Sequence, residues 1–278
     1  MKGNIRTSST VRLDEKDSSA SDYCQLVIEE VYGAGNEAEQ NGKAEIDLGC
    51  TPGMAEIYGG SREAHINNNI VLNITSGTFG RVFGGNNLGG NINGTITVNI
   101  EETGCHPIII GQLYGGGNEA AYSAPWKDDD DHSKGREHGP TLNIKSFTSI
   151  GEVFGGGFGS TATVTGDTYV NINEVTGDYY NADASVVTQG TTVYGFGVPV
   201  HAKGSTIGSI GTVFGGGNAA RVVGNTNVNI GTEATIDYVS EVGTAITVLG
   251  ASITGNVYGG GNQADVTGNT NVTIGKEN

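Results

Sequence analysis

The sequence predicts an all-β protein, a parallel β-helix (β-solenoid), on three observations: an eightfold repeat, short apolar runs of period two, and no stretch with helical spacing. The repeat is an aliphatic residue, an aromatic residue, glycine and then small residues. It recurs at Val31-Tyr32-Gly33, Ile57-Tyr58-Gly59, Val82-Phe83-Gly84, Leu113-Tyr114-Gly115, Val153-Phe154-Gly155, Val193-Tyr194-Gly195, Val213-Phe214-Gly215 and Val257-Tyr258-Gly259. A second block follows most copies: glycine, polar residues, then apolar-x-apolar, as in Gly224-Asn225-Thr226-Asn227-Val228-Asn229-Ile230. The aromatic and the last aliphatic are equally spaced in Tyr32 to Leu48, Tyr58 to Ile74, Phe214 to Ile230 and Tyr258 to Ile274. An apolar residue four places before the aromatic supplies a third element: Ile28, Met54, Phe79, Ile110, Ile150 and Ile210.

Alternating runs bounded by glycine and asparagine read as strands. A strand-only unit of about 25 residues cannot bury its own apolar face, whereas stacking it on its neighbours can. The prediction is therefore about eight coils of roughly 25 residues, stacked about 4.8 Å apart and taken as right-handed on general frequency. A propeller blade needs four strands, and a sandwich would not repeat its sequence. Residues 1–22 read as a polar N-terminal tail or cap, and 23–278 as the solenoid, with insertions near 121–139, 173–190 and 231–250. Stacking superposes equivalent residues. Tyr32, Tyr58, Phe83, Tyr114, Phe154, Tyr194, Phe214 and Tyr258 should form an aromatic column, the largest apolar contribution to a narrow core. Asn36, Asn87, Asn118, Asn218 and Asn262, each four residues past an aromatic, should form a corner ladder in the left-handed region. The glycines between aromatic and asparagine allow the corner to be tight.

Composition narrows the function. Of 278 residues 48 are glycine, without a G-X-Y period, which excludes collagen. No apolar run is long enough for a membrane-spanning helix. With 14 Lys+Arg against 30 Asp+Glu, a net charge of −16, the chain is unsuited to nucleic acid. Glycine runs such as Gly215-Gly216-Gly217 do not continue into the Gly-Lys-Ser/Thr of a phosphate loop. The N-x-[ST] sites at Asn73, Asn93 and Asn271 fall inside the repeated block and read as ladder residues before glycan acceptors. Cys24 and Cys50 each precede an aromatic by eight residues and should be neighbours on adjacent coils. A free thiol pair and a disulfide both fit them, and Cys105 reads as unpaired. The polar opening is no signal peptide, so a secreted form would begin after the cleavage site. The abrupt end at Asn278 reads as a cut from something longer.

Function would sit in the irregular segments. The 122–139 insertion holds the only tryptophan. Trp126 suits stacking on a sugar, and Asp129, Asp131 and Glu137 suit a hard cation such as calcium; the plain alternative is a solvated loop. Tyr179 and Tyr180, in the insertion after Ile172, are a second candidate contact for carbohydrate. His132 and His138 lack the spacing and third ligand of a zinc site. No G-x-S-x-G or H-E-x-x-H occurs, no catalytic residue is assigned, and no cofactor is implied beyond that calcium.

From about Gln25 to Ile274 the repeats V-[YF]-G-G-G-N and G-N-T-N-V-x-I resemble those of right-handed parallel β-helix, adhesin-like surface proteins of gut bacteria. The resemblance implies an extracellular or cell-surface protein. The first expectation is a non-catalytic adhesin or stalk that binds glycans or host-surface molecules. The alternative is a polysaccharide-cleaving lyase or glycoside hydrolase on the same scaffold. A third, ice binding, would need an outward threonine row, for which Thr168, Thr226 and Thr270 are in line.

Overall fold

The computed structural model describes residues 7–15, 27–102, 106–128, 130–176, 179–180, 186–187, 208–232, 247–248 and 252–275, with backbone alone at 175–176, 179–180, 186–187 and 247–248. Each repeated block becomes one strand of a long parallel sheet. The G-N-T-N-V-x-I block supplies Ala44–Leu48, Ile70–Ile74, Ile96–Glu101, Thr141–Ser146, Thr168–Ile172, Thr226–Ile230 and Thr270–Ile274. The aliphatic-aromatic block supplies Glu30–Tyr32, Gly53–Tyr58, Thr78–Phe83, Ile109–Tyr114, Ser149–Phe154 and Ser209–Phe214, then Ser252–Ile253 and Val257–Tyr258. The chain alternates between the two sheets, and every pairing within them is parallel, the arrangement of a parallel β-solenoid. A third side is built from Tyr122–Ser123, Val164–Thr165 and Val222–Val223 and is extended by single bridges such as Ile66 to Ile92.

Ser9–Leu13 lies in the stretch read as a tail or cap. It is a strand, paired in register with Ala44–Leu48. The two later insertions meet each other: Val175–Thr176 pairs antiparallel with Thr247–Val248. Sequence periodicity carries no sign of that contact, because it joins two non-repeating segments.

The interior is not one core but three parallel columns. Ile57, Val82, Leu113, Val153 and Val213 point inward with Met54, Phe79, Ile110, Ile150 and Ile210, against Ile46, Leu72, Val98 and Leu142 of the facing sheet. The aromatics form a second column, separate from that aliphatic core. The inward residues lie one and four places before the aromatic, an odd interval that plain alternation does not give. The register skips one residue between them, at Ala55, Gly80, Gly111 and Gly151, and the ring beyond is buried in a cluster of its own. The sequence expectation that the rings would fill the main core is corrected by this irregularity in the strand. Their stacking holds throughout: neighbouring rings from Tyr32 to Tyr258 lie 4.8–5.1 Å apart and within 13° of parallel. Phe154 stacks directly on Phe214 at 4.8 Å, which leaves no place between them for an eighth ring. Tyr194 itself lies outside the described residues.

The asparagine ladder also differs from expectation. At the corner Asn118 donates to Asn87 (2.9 Å) and Asn262 to Asn218 (3.3 Å), but Phe158 occupies the position between the two pairs, and the buried Asn118 Oδ1 meets no donor. Asn36 makes no ladder bond among the described residues. None of these asparagines has positive φ; the left-handed residues are Ala219 (57°) and Gln263 (62°), one place later. The longer ladder runs along the outer face of the first sheet. There Asn73, Asn99, Asn143, Asn171 and Asn229 each donate Nδ2 to the preceding strand, at 2.7–3.1 Å, ending on Asp47. Asn93 and Asn271 also donate to their neighbours, Asn67 and Asn227, so all three N-x-[ST] asparagines are ladder residues. Thr168 and Thr226 are buried and donate to Gly215 O and Gly259 O across the interior. These two turn away from the surface, whereas Thr270 on the last strand is exposed.

The glycine after each aromatic answers to close approach rather than to positive φ. A Cβ on Gly115 would sit 2.5 Å from Gly155 O and 2.9 Å from the Pro140 side chain, and Gly33, Gly59, Gly84, Gly155 and Gly215 face the next coil's carbonyl in the same way. Gly89 has nothing within 4 Å of that position. Gly115→Ala should therefore destabilise by about 3 kcal/mol, the upper range of overpacking, whereas Gly89→Ala should stay within about 0.5 kcal/mol of wild type. Thermal unfolding of both variants checks this; equal midpoints would refute the close-approach explanation.

Candidate functional site

The 124–138 excursion is the largest described departure from the repeat. It is anchored at Ala124, which is buried and donates its N–H to Thr165 O. From there the chain runs out and back as an irregular antiparallel arm. Trp126 bridges Arg136, Glu137 N–H donates to Pro125 O, and Lys127 N–H donates to Gly135 O. The tip is a single 3-10 turn, His132–Lys134. The Asp131 carboxylate caps it by accepting the Ser133 N–H at 3.0 Å, and Gly135 closes it with φ 73°. Asp131-x-Ser133 followed by glycine was the available signal for this turn.

Trp126 is half-buried and already covered on both sides. The Arg136 guanidinium carbon lies 3.9 Å from its ring centre, and the His132 ring lies parallel to it at 4.3 Å. Two groups this close cannot share one face of an indole, so they take opposite faces. Arg136 also donates to Ala124 O, which ties the stack to the anchor. A sugar could stack on Trp126 only by displacing His132 or Arg136. Sequence reading singled out the tryptophan but missed these two partners, since their approach depends on the return path of the arm.

The acidic residues separate. Asp128 pairs with Lys134 at 2.6 Å, which holds its carboxyl below the ordinary range. The Ser133 hydroxyl and N–H do the same for Asp131. Glu137 is exposed on the return limb. Asp129 lies outside the described residues, as do the side chains of Tyr179 and Tyr180, whose backbone pairs antiparallel with Val186–Val187. Among the described residues no group of three or more His, Cys, Asp or Glu is placed to hold a metal ion. At the base of the arm the exposed His138 stacks on Tyr169 at 4.6 Å, carrying aromatic surface onto the outer face of the first sheet.

Two other carboxylates, the half-buried Glu102 and the buried Glu174, stand at bends. Glu102 accepts Ile108 N–H at 2.7 Å and the Thr148 hydroxyl at 2.9 Å. Glu174 accepts Gly208 N–H, tying the two ends of the 175–207 segment together. Both serve the backbone at corners where strand pairing lapses. Cys50 is disulfide-bonded, which corrects the free-thiol reading for that residue; Cys24 and Cys105 lie outside the described residues, and with them the expected neighbourhood of Cys24 and Cys50. Among the described residues no helix is long and apolar enough to cross a membrane.

Compared with protein-family models, curated proteins and solved structures, the chain matches none.

Burial, with the nearby Glu102 charge, raises Glu174 from 4.5 to about 7. A carboxyl whose folded pKa is raised binds a proton that the unfolded chain releases. Its contribution is present in full below the unfolded value and is lost as pH rises through the folded one. Thermal stability should thus decline between pH 4.5 and about 7, and Glu174→Gln should flatten that slope, a difference of up to about 3 kcal/mol. An unchanged slope in the variant would show that Glu174 does not carry it.

Proposed function

We propose that the chain is a non-catalytic extracellular or cell-surface repeat protein, an adhesin or stalk, that presents the 124–138 arm to glycans or host-surface molecules. The observation that carries this reading is the contrast between frame and arm. The frame repeats one set of contacts from strand to strand: stacked rings, amide ladders and glycines against carbonyls. The arm repeats nothing, is braced internally by the Arg136–Trp126–His132 stack, and stands out on a buried anchor. A rigid support with one singular outgrowth suits display better than turnover. The finer description proposed with it is a right-handed coil wound about eight times, the number taken from the eight copies of the repeat and the hand from general frequency.

Two further features support the setting. The Cys50 disulfide suits an oxidising compartment. The net charge of −16 favours neutral over polyanionic glycans. Glu174, the buried carboxylate with the raised pKa, is engaged by the Gly208 N–H at a backbone corner, a structural task that does not call for a cleavage role.

In the contact mode proposed here, exposed polar groups of the arm, Glu137 and His138 beside Tyr169, meet the ligand. Wild type and a variant lacking residues 124–138 should differ on a glycan and mucin array, with binding lost in the variant and its melting midpoint retained. Equal binding by both proteins would remove the arm from the reading, and binding by neither would leave the stalk role alone.

A further inference from the structure

The chain contains two Asn-Gly dipeptides, Asn41-Gly42 and Asn93-Gly94, and both asparagines stand in one short side-chain ladder. Asn93 Nδ2 donates to Asn67 Oδ1 at 2.8 Å, and Asn67 Nδ2 donates in turn to Asn41 Oδ1 at 2.9 Å and to Glu39 Oε1 at 2.6 Å. The ladder therefore has a direction. Asn93 must donate to hold its place, whereas Asn41 only accepts, and among the described residues its Nδ2 meets no acceptor. Both asparagines are exposed, and neither following glycine N–H has an acceptor among the described residues.

A peptide nitrogen whose residue lacks a Cβ is the least hindered nucleophile a backbone offers to the preceding side-chain amide. We propose that Asn41-Gly42 is a self-modifying site, which deamidates in the folded protein, while the same dipeptide at Asn93 is held back by its ladder bond. The Gly42 nitrogen forms a bond to Asn41 Cγ and gives up its proton. The Cγ–Nδ2 bond breaks, and ammonia leaves with that proton. Water then opens the five-membered imide at either carbonyl, giving aspartate or its β-linked isomer. Only water is consumed.

The product suits position 41. A carboxylate can accept but not donate, and this end of the ladder is asked only to accept. The longer ladder already ends this way: Asp47 accepts from Asn73 at 2.7 Å, where every later member is asparagine. The new charge would stand near Glu39, at an exposed position where water screens the repulsion. At position 93 a carboxylate would face Asn67 Oδ1, acceptor against acceptor, and the ladder would break.

The test is peptide mass mapping of the intact folded protein through a long incubation at mildly alkaline pH, with a urea-unfolded control. Asn41 should convert at least about fivefold faster than Asn93 in the folded state, since attack at Asn93 must first release a hydrogen bond. The two should convert alike when unfolded. Asn41→Asp should keep the wild-type melting midpoint, and Asn93→Asp should lower it. Conversion of folded Asn93 at the rate of Asn41 would overturn the proposal. So would an unreacted Asn41 where the unfolded control reacts, or a loss of midpoint in Asn41→Asp equal to that in Asn93→Asp.

Discussion

The parallel pairing of each strand with its equivalent in the next repeat is the constraint on which this molecule rests. In-register pairing brings like residues within one strand spacing of each other, so whatever a position holds must tolerate its own copy as a neighbour. Few chemistries do. Flat rings stack, as Tyr32, Tyr58 and Phe83 do. Carboxamides pass hydrogen bonds along a line, as Asn73, Asn99 and Asn143 do. Glycine lets a neighbouring carbonyl come close, as at Gly115 and Gly155. Charged groups are eased by alternation or pairing, as where Arg81 meets Glu56 and Gln112 meets Glu152, while Glu30 stands beside Glu56 at the exposed start of the sheet.

Direction follows from the same constraint. An amide ladder runs one way, because each Nδ2 reaches back to the preceding strand. Its first member needs only an acceptor and its last is left with one to spare. Asp47 at the start of the long ladder and the uncoupled Asn118 Oδ1 beside Phe158 are the two visible consequences. The first closes a ladder with a residue that cannot donate. The second shows the local result of replacing one ladder member by an aromatic, which gains contact with Tyr114 and Arg81 in exchange.

A frame so constrained leaves little freedom for chemistry of its own, and the singular contacts collect where repetition stops. The arm at 124–138 carries a stacked tryptophan, a capped turn and an ion pair of its own, Lys134 with Asp128, outside the repeated contacts. The corners that open onto the longer segments recruit carboxylates, Glu102 and the buried Glu174, in place of strand pairing. The singular arm and the one corner acid pushed up to about 7, Glu174, are both products of interrupting the repeat.

The all-β class, the parallel stacking, the aromatic column and the ladder role of the N-x-[ST] asparagines were legible in the sequence, because a periodic structure writes each contact as a spacing between equivalent residues. What occurs once has no spacing to read. That the rings form a column apart from the aliphatic core depends on the irregularity that interrupts alternation within each of these strands. That Phe154 meets Phe214 directly depends on which copies pair, and the covering of Trp126 by His132 and Arg136 depends on how the arm folds back. Composition and periodicity thus determined the repeated architecture of this chain. The fate of each side chain that does not repeat was decided only by tertiary structure, since its neighbours come from segments whose distance in sequence carries no information about their distance in space.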